Sequence, residues 1–176
     1  MRTLQLLYIS IGVVALIALP VRARLLENWP YERLFKEADL VVIAIAGDTT
    51  DTKDRFTAKG WKVEFIGQAT QFVVQSALKG KLGQDKKIAV LHYRLPEGVQ
   101  VINGPLLVKF RKDAVMLNGT INGTAFKAGL GCPEYMLFLR LRKDGRYEPV
   151  SGEIDPSLSI REMHEPDRFF AGLGKK

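Results

Sequence analysis

Residues 61–80, WKVEFIGQATQFVVQSALKG, decide the fold class of this chain. Trp61, Val63 and Phe65 alternate with charged residues, and the apolar pattern resumes after Gly67. Strict alternation is typical of a β-strand, and a glycine inside such a pattern marks a bulge or a tight bend. The segment therefore predicts one long strand that bends at Gly67 and serves two halves of a small barrel.

The sequence on both sides of this segment predicts further strands. The additional predicted strands are residues 40–46, 87–95, 135–142 and 146–150. Asp144-Gly145 is a strong signal for a hairpin turn between the last two strands, and Pro149 predicts an edge position for the returning strand. Residues 47–54 are rich in Asp and Thr, and we expect them to form a surface loop after the first strand.

The region from Pro96 to Gly131 gives weaker signals. Apolar stretches predict short strands at residues 106–108 and 114–117, and the dipeptides Asn118-Gly119 and Asn122-Gly123 predict tight turns. These segments add strands to the sheet without any alternation of strand and helix.

Two short helices are expected beside the strands. Pro30 favours a helix start, and Tyr31, Leu34, Phe35 and Ala38 recur at helical spacing on one face, which should pack on the sheet. A second helical turn is predicted from Asp155-Pro156 to Ile160. The whole pattern predicts a mostly-β protein: a small five- to six-stranded OB-type barrel with short flanking helices. A β-sandwich of about seven strands is the alternative.

The first 23 residues predict a secretory signal. Arg2 precedes an almost unbroken apolar run from Leu4 to Leu19, and Val21-Arg22-Ala23 fits a signal-peptidase site. Cleavage there would leave residues 24–176 as a single exported domain, periplasmic or secreted, with residues 172–176 as a loose tail. An uncleaved membrane anchor is the alternative, because Arg22 and Arg24 oppose translocation.

Charge and cysteine content narrow the class of protein further. The chain has 26 Lys and Arg against 19 Asp and Glu, a formal net charge of +7. Cys132 is the only cysteine, so no intramolecular disulfide can form. We expect its thiol to be a small buried packing group. Export also argues against a nucleic-acid partner.

The sequence contains no pattern of catalytic or metal-binding residues. His92 and His164 belong to no ligand-spaced cluster, whereas zinc sites need three or four convergent ligands. Asp48, Asp51 and Asp54 could offer oxygen ligands to a hard cation, but their spacing does not match an EF-hand loop. The prediction is a protein that is not an enzyme and holds neither metal nor cofactor.

The predicted strands resemble those of netrin-like domains, the group that includes the tissue inhibitors of metalloproteinases, and of uncharacterised exported bacterial proteins with the same core. The matching segments are residues 38–44, 72–80, 87–93, 135–139 and 145–152. The animal inhibitors use a cysteine at the mature N-terminus to chelate the zinc of the protease. This chain departs from them, because Arg24 stands at the predicted mature N-terminus.

The resemblance and the signal together predict an exported, non-enzymatic module that binds a protein partner in the cell envelope or outside it. Loops at one end of a barrel commonly carry recognition. The expected binding residues are Arg24, Leu25 and Trp29 near the N-terminus, with Asp48, Asp51 and Asp54 after the first strand. A protease inhibitor that works without the cysteine wedge and an envelope enzyme with an unrecognised site are the alternatives.

Overall fold

Strands account for most of the ordered elements in the computed structural model, which describes residues 24–113, 116–121, 124–129 and 131–163. The elements are α1 (Tyr31–Glu37), β1 (Leu40–Thr57), β2 (Glu64–Lys79), β3 (Lys87–Arg94), β4 (Met116–Ile121), β5 (Thr124–Gly129), β6 (Glu134–Leu141), β7 (Tyr147–Pro149), a 3₁₀ helix (Pro156–Ser159) and β8 (Ile160–Met163). No helix among these described residues is long and apolar enough to cross a membrane.

Five of the strands close into a ring. β1 pairs antiparallel with β2, β2 with β3, and β6 with both β7 and β1, while β3 and β7 are parallel neighbours. β8 extends the sheet beyond β6, and β4 and β5 form a separate hairpin. The predicted mostly-β class is confirmed, as a barrel-like ring of five strands with one short α-helix.

A bulge in β1 allows the long β1–β2 pair to curve. Asp51 lies opposite Gln68 and Arg55 lies opposite Ile66, so three residues of β1 face Gly67 alone. A Cβ on Gly67 would come within 2.6 Å of the Thr52 hydroxyl oxygen. The predicted glycine irregularity is confirmed, although the extra residues belong to the neighbouring strand and β2 begins only at Glu64.

The sheet separates two of the buried clusters. Inside the ring, side chains from all five strands and β8 surround Phe72, Phe110 and Tyr135. On the outer face, Leu34 and Ala38 from the α1 region pack with Val41, Phe138 and Val150. A third cluster around Phe65, Leu91 and Tyr93 fills the far end of the ring. The outer-face cluster determines where α1 lies on the sheet.

The structure overturns the expected loop at residues 47–54, because β1 continues without interruption to Thr57. The Asp and Thr residues from 48 to 51 are all exposed, and only Thr52 and Asp54 are half-buried, so the polar composition reflects a solvent-exposed strand. Asn118-Gly119 lies inside β4 instead of forming a turn, and residues 106–108 are not a strand. Asn122-Gly123 lies outside the described residues.

Two further expectations were wrong and one element was missed. β7 lies between β3 and β6 and is not an edge; Pro149 fits because β3 pairs with β7 only at Val90 and Tyr147. Cys132 is exposed, in the loop before β6. The predicted helical turn is confirmed as the 3₁₀ helix, but β8 follows it directly.

Several expectations fall on residues that the structure does not describe. They are the signal at residues 1–23, the strand start at residues 114–115, His164 and the tail at residues 172–176.

Gly67→Ala should destabilise the ring by about 1–3 kcal/mol, because the new methyl group would overlap the Thr52 hydroxyl and the Asp54 backbone. Urea unfolding followed by circular dichroism measures the change. Gly83→Ala is the matched control, since its new Cβ would meet only the end of the Asp85 side chain, at 3.2 Å. Equal stability of the two variants would contradict the close approach at Gly67.

Candidate functional site

Helix α1 covers only part of the outer face of the sheet. Leu34 is fully buried and Ala38 is 2% exposed, so this side of the helix seats on β1 and β6. Tyr31 and Phe35, which the sequence placed on the same packing face, are 57% and 44% exposed. The side of α1 with Leu34 therefore packs against the sheet, while the adjacent side with Tyr31 and Phe35 faces solvent at the edge of a groove.

This groove has a volume of about 580 Å³ and lies between α1 and the outer face of the sheet. Val41, Met136 and Phe138 line it from the sheet, Tyr31 and Phe35 line it from α1, and Leu78 lines it from β2. Its lining is almost wholly apolar, with Glu32 as the charged residue. Grooves of this volume and composition are typical of binding sites.

The apolar surface continues beyond the groove along the same face of the sheet. Ile43 and Ile45 follow Val41 at two-residue spacing, which places them on the same side of β1. Val73 lies opposite Ile45 across the β1–β2 pair and is 46% exposed. Met163, at the end of β8, is 39% exposed. Glu134 lies between Ile45 and Met163 in the sheet register, so the apolar surface along β1 ends at this carboxylate. The groove is thus the concave part of an apolar strip that runs from Val41 to Ile45 and Val73.

Two cations flank the groove. The Lys79 ammonium donates hydrogen bonds to the backbone carbonyl oxygens of Phe35 (2.7 Å) and Lys36 (3.1 Å). Arg161 lies across from Met136 in the β6–β8 pair, and its guanidinium carbon is 5.8 Å from the centre of the Tyr31 ring. Within the described residues neither Lys79 nor Arg161 has a carboxylate partner. Their charges remain unbalanced beside an apolar surface.

Two arginines near α1 are paired with carboxylates. Arg33 forms ion pairs with Glu27 at 2.6 Å and with Glu37 at 2.9 Å, and it stacks on Trp29 at 3.8 Å from the ring centre. Arg140 is 3.7 Å from Glu37.

Lys36 at the end of α1 and Lys87, which lies opposite Val73 in the β2–β3 pair, also have no carboxylate partner among the described residues. Lys79 and Arg161 are thus the unpaired cations that flank the groove itself, within a face that carries excess positive charge.

The N-terminal residues that the sequence proposed for binding have different environments. Arg24 forms two 2.6 Å hydrogen bonds with the Asp155 carboxylate and also donates to the Gly104 carbonyl oxygen. Leu25 is 94% exposed, and Trp29 is half-buried against the outer-face cluster. Arg24 therefore anchors the entry of the chain, and only Leu25 of these residues is freely presented.

The three aspartates of β1 are each paired with a cation from a distant part of the sequence. Asp48 accepts a 2.7 Å hydrogen bond from Lys112, and Asp51 accepts hydrogen bonds from Arg94 and Gln68. Hydrogen bonding by Arg94 lowers the pKa of Asp51 to about 2.

Asp54 forms a two-point contact with Arg146, at 2.7 and 3.1 Å, and Thr52 adds a third hydrogen bond to the same carboxylate. Arg146 holds the pKa of Asp54 well below its usual range. Within the described residues, no group of three or more His, Cys, Asp or Glu side chains is placed to hold a metal ion. The three aspartates fasten β1 to its neighbours; a binding role for them stays a prediction.

His92 is a buried polar residue inside the ring, 2% exposed. Its Nε2 lies 2.8 Å from the Thr70 hydroxyl, which is 2.7 Å from the Thr49 hydroxyl. Its Nδ1 has no hydrogen-bond partner among the residues that the structure describes, and the Phe110 ring packs edge-on against the imidazole with 4.9 Å between ring centres. Burial lowers the pKa of His92 from 6.5 to about 4. The imidazole is therefore a neutral core group at physiological pH.

Comparison with known proteins identifies no relative: no family model matches the chain, and no curated protein or solved structure matches it. The netrin-like resemblance therefore stays a prediction.

Sequence reasoning did not find the groove. The sequence shows an apolar stripe of Tyr31, Leu34, Phe35 and Ala38 on one face of the helix. A seven-residue helix buries only part of a stripe this wide against a sheet, so the rest of it stays exposed. Two aromatic residues in this stripe, one turn apart, are the available signal. Leu78 and Met136 are distant in the sequence, and only the pairing of β2 and β6 with β1 brings them next to these aromatic residues.

Acid should weaken the fold through His92. Because the folded-state pKa lies below the unfolded value, the stabilisation is complete above pH 6.5 and falls as the pH drops toward 4, by about 3 kcal/mol in total. Urea unfolding between pH 7.5 and pH 4 measures the loss in the natural chain and in His92→Gln. Subtracting the two curves cancels the carboxylate contributions, and parallel curves would contradict the assignment.

Proposed function

We propose that the protein is an exported, non-enzymatic module that binds a protein partner through the groove between α1 and the outer face of β1 and β6. The observation that carries the proposal is the apolar strip itself. Tyr31, Phe35, Val73 and Leu78 each keep between 44% and 57% of their surface in water. Contiguous apolar surface with a polar rim is typical of protein interaction sites.

The shape of the groove favours a protein partner over a small molecule. The groove is open to solvent, and the apolar surface extends past it along β1 to Ile45. A small ligand would normally have most of its surface enclosed in a pocket. A partner segment can instead cover the groove and the exposed strip at the same time. Aromatic residues such as Tyr31 and Phe35 are enriched in interfaces of this kind.

The proposal moves the binding surface away from the residues that the sequence favoured. The side chains of Arg24, Asp48, Asp51 and Asp54 are engaged in ion pairs within the chain, so a partner would have to displace those contacts. The groove needs no such exchange. Export and the netrin-like resemblance remain parts of the proposal that rest on the sequence.

Replacing Phe35 with Ser and Leu78 with Gln should weaken partner binding at least tenfold, because buried aromatic and aliphatic contacts dominate interface energies. The natural chain and the double variant are immobilised separately and exposed to native envelope and secreted extracts. A protein captured only by the natural chain is then purified, and its affinity for both chains is measured by isothermal titration calorimetry.

The matched control replaces Ile102 with Ser and Leu141 with Gln. These side chains are 88% and 52% exposed and do not line the groove. The control should bind like the natural chain, and circular dichroism should show all three proteins folded. Equal affinity of the groove variant and the natural chain would refute the proposal.

A further inference from the structure

Among the described residues, α1 is the helix that covers the outer face of the sheet, and it covers only part of the apolar surface there. α1 has seven residues and is therefore about 10 Å long. It covers Val41 and Phe138, while Ile43, Ile45 and Val73 lie beyond it. A sheet normally buries an apolar face under a second layer. Within the part of the chain that the structure describes, the uncovered area has space for another helix beside α1.

The charges at the borders of this space indicate which charge a segment covering it would carry. Lys79 stands on the β2 side and Arg161 on the β8 side, and neither has a carboxylate partner within the described residues. Arg161 donates hydrogen bonds to the backbone carbonyl oxygens of Ser157 and Ile160, as Lys79 does to those of α1, and such contacts do not neutralise a full charge. An element that brings carboxylates to both borders would complete these two positions.

We propose that the partner contributes an amphipathic helix, which lies beside α1 with its apolar side on the strip and acidic residues at its two borders. The inference rests on the proposed function and specifies the partner for the same groove. Two observations support it: the apolar strip that α1 leaves uncovered, and the unpaired cations Lys79 and Arg161 at the borders of that strip.

The dimensions fit a helix of two to three turns. Val41 and Ile45 are four residues apart, about 13 Å along the strand. A helix covers that distance with about nine residues. Apolar side chains at positions i, i+3, i+4 and i+7 would then face the strip. Glu32 would repel an acidic residue placed against the centre of α1, and Glu134 would repel one placed at the Ile45 end of the strip. The acidic residues therefore belong at the borders near Lys79 and Arg161.

Two other occupants fit less well. A second copy of the chain would bring its own Lys79 and Arg161 toward the same cations if identical faces met. A lipid surface would be contacted best by protruding side chains, whereas the deepest apolar residues here, Val41 and Phe138, line a concavity. Both occupants are nevertheless outcomes of the experiment below.

The test uses two synthetic helical peptides of equal length with the same apolar face of Leu and Phe. One carries Glu at the border positions and the other carries Lys. Binding of each peptide to the purified protein is measured by fluorescence anisotropy at 50 and 500 mM salt. The acidic peptide should bind at least tenfold more tightly at low salt, and the difference should shrink at high salt.

Charge-reversal variants locate the effect. Lys79→Glu with Arg161→Glu should reverse the preference, while Lys62→Glu, an exposed charge that does not line the groove, should leave it unchanged. Because Lys79 contacts the end of α1, a second variant, Arg161→Glu alone, keeps the test valid if the double variant unfolds. It should reduce the preference without abolishing it.

Several results would overturn the inference. If both peptides bind with equal affinity, the partner helix needs no acidic residues and the inference is wrong. If the Phe35→Ser, Leu78→Gln variant then binds neither peptide, the groove is still the binding site and the proposed function stands. Concentration-dependent dimerisation through this face, or binding only to phosphatidylglycerol vesicles, would replace the helix with another occupant. Tight binding that appears only after deletion of residues 164–176 would show that the chain covers the strip itself.

Discussion

The fold depends on the double pairing of β1. Its first residues, Leu40–Ile45, bond to β6 on one side and to β2 on the other, and the remainder pairs with β2 alone. A strand can have two such partners and still close a ring only if it curves strongly. The bulge opposite Gly67 and three further register shifts supply that curvature. Without them β1 and β6 could not meet, and the sheet would have open edges at both strands.

This closure explains why apolar surface remains on the outside. In the doubly paired part of β1, residues alternate between the interior of the ring and the outer face, so both sets are apolar. The interior set is enclosed by the ring itself. The outer set depends on whatever the chain can place over it, and only α1 is available among the described residues. Ala38 ends the helix two residues before β1 begins, which limits the covered area to the region near Val41.

Local patterns predicted the ring better than they predicted its surface. The strands around Phe72, Val90 and Leu137, and the hairpin turn at Gly145, followed from period-two alternation and turn chemistry. The continuation of β1 was missed because Asp and Thr residues imitate a loop when a strand is solvent-exposed. The groove was missed for a different reason. Its lining comes from α1, β1, β2 and β6, and only register brings these elements together.

Some charged residues of this protein are paired within the fold and others are not, and this difference explains why the acidic cluster at residues 48–54 was a misleading signal for a binding site. Asp48, Asp51 and Asp54 lie close together, yet their cations come from 64, 43 and 92 residues away, so each carboxylate is used for fastening the fold. Lys79 and Arg161 look ordinary in the sequence, and among the described residues the same topology leaves them without acidic partners. A charge is available for recognition when the fold fails to balance it, and that property depends on register and not on local composition. In the described part of the chain, the apolar strip between these two cations is therefore a surface on which the topology leaves both hydrophobic and electrostatic interactions incomplete.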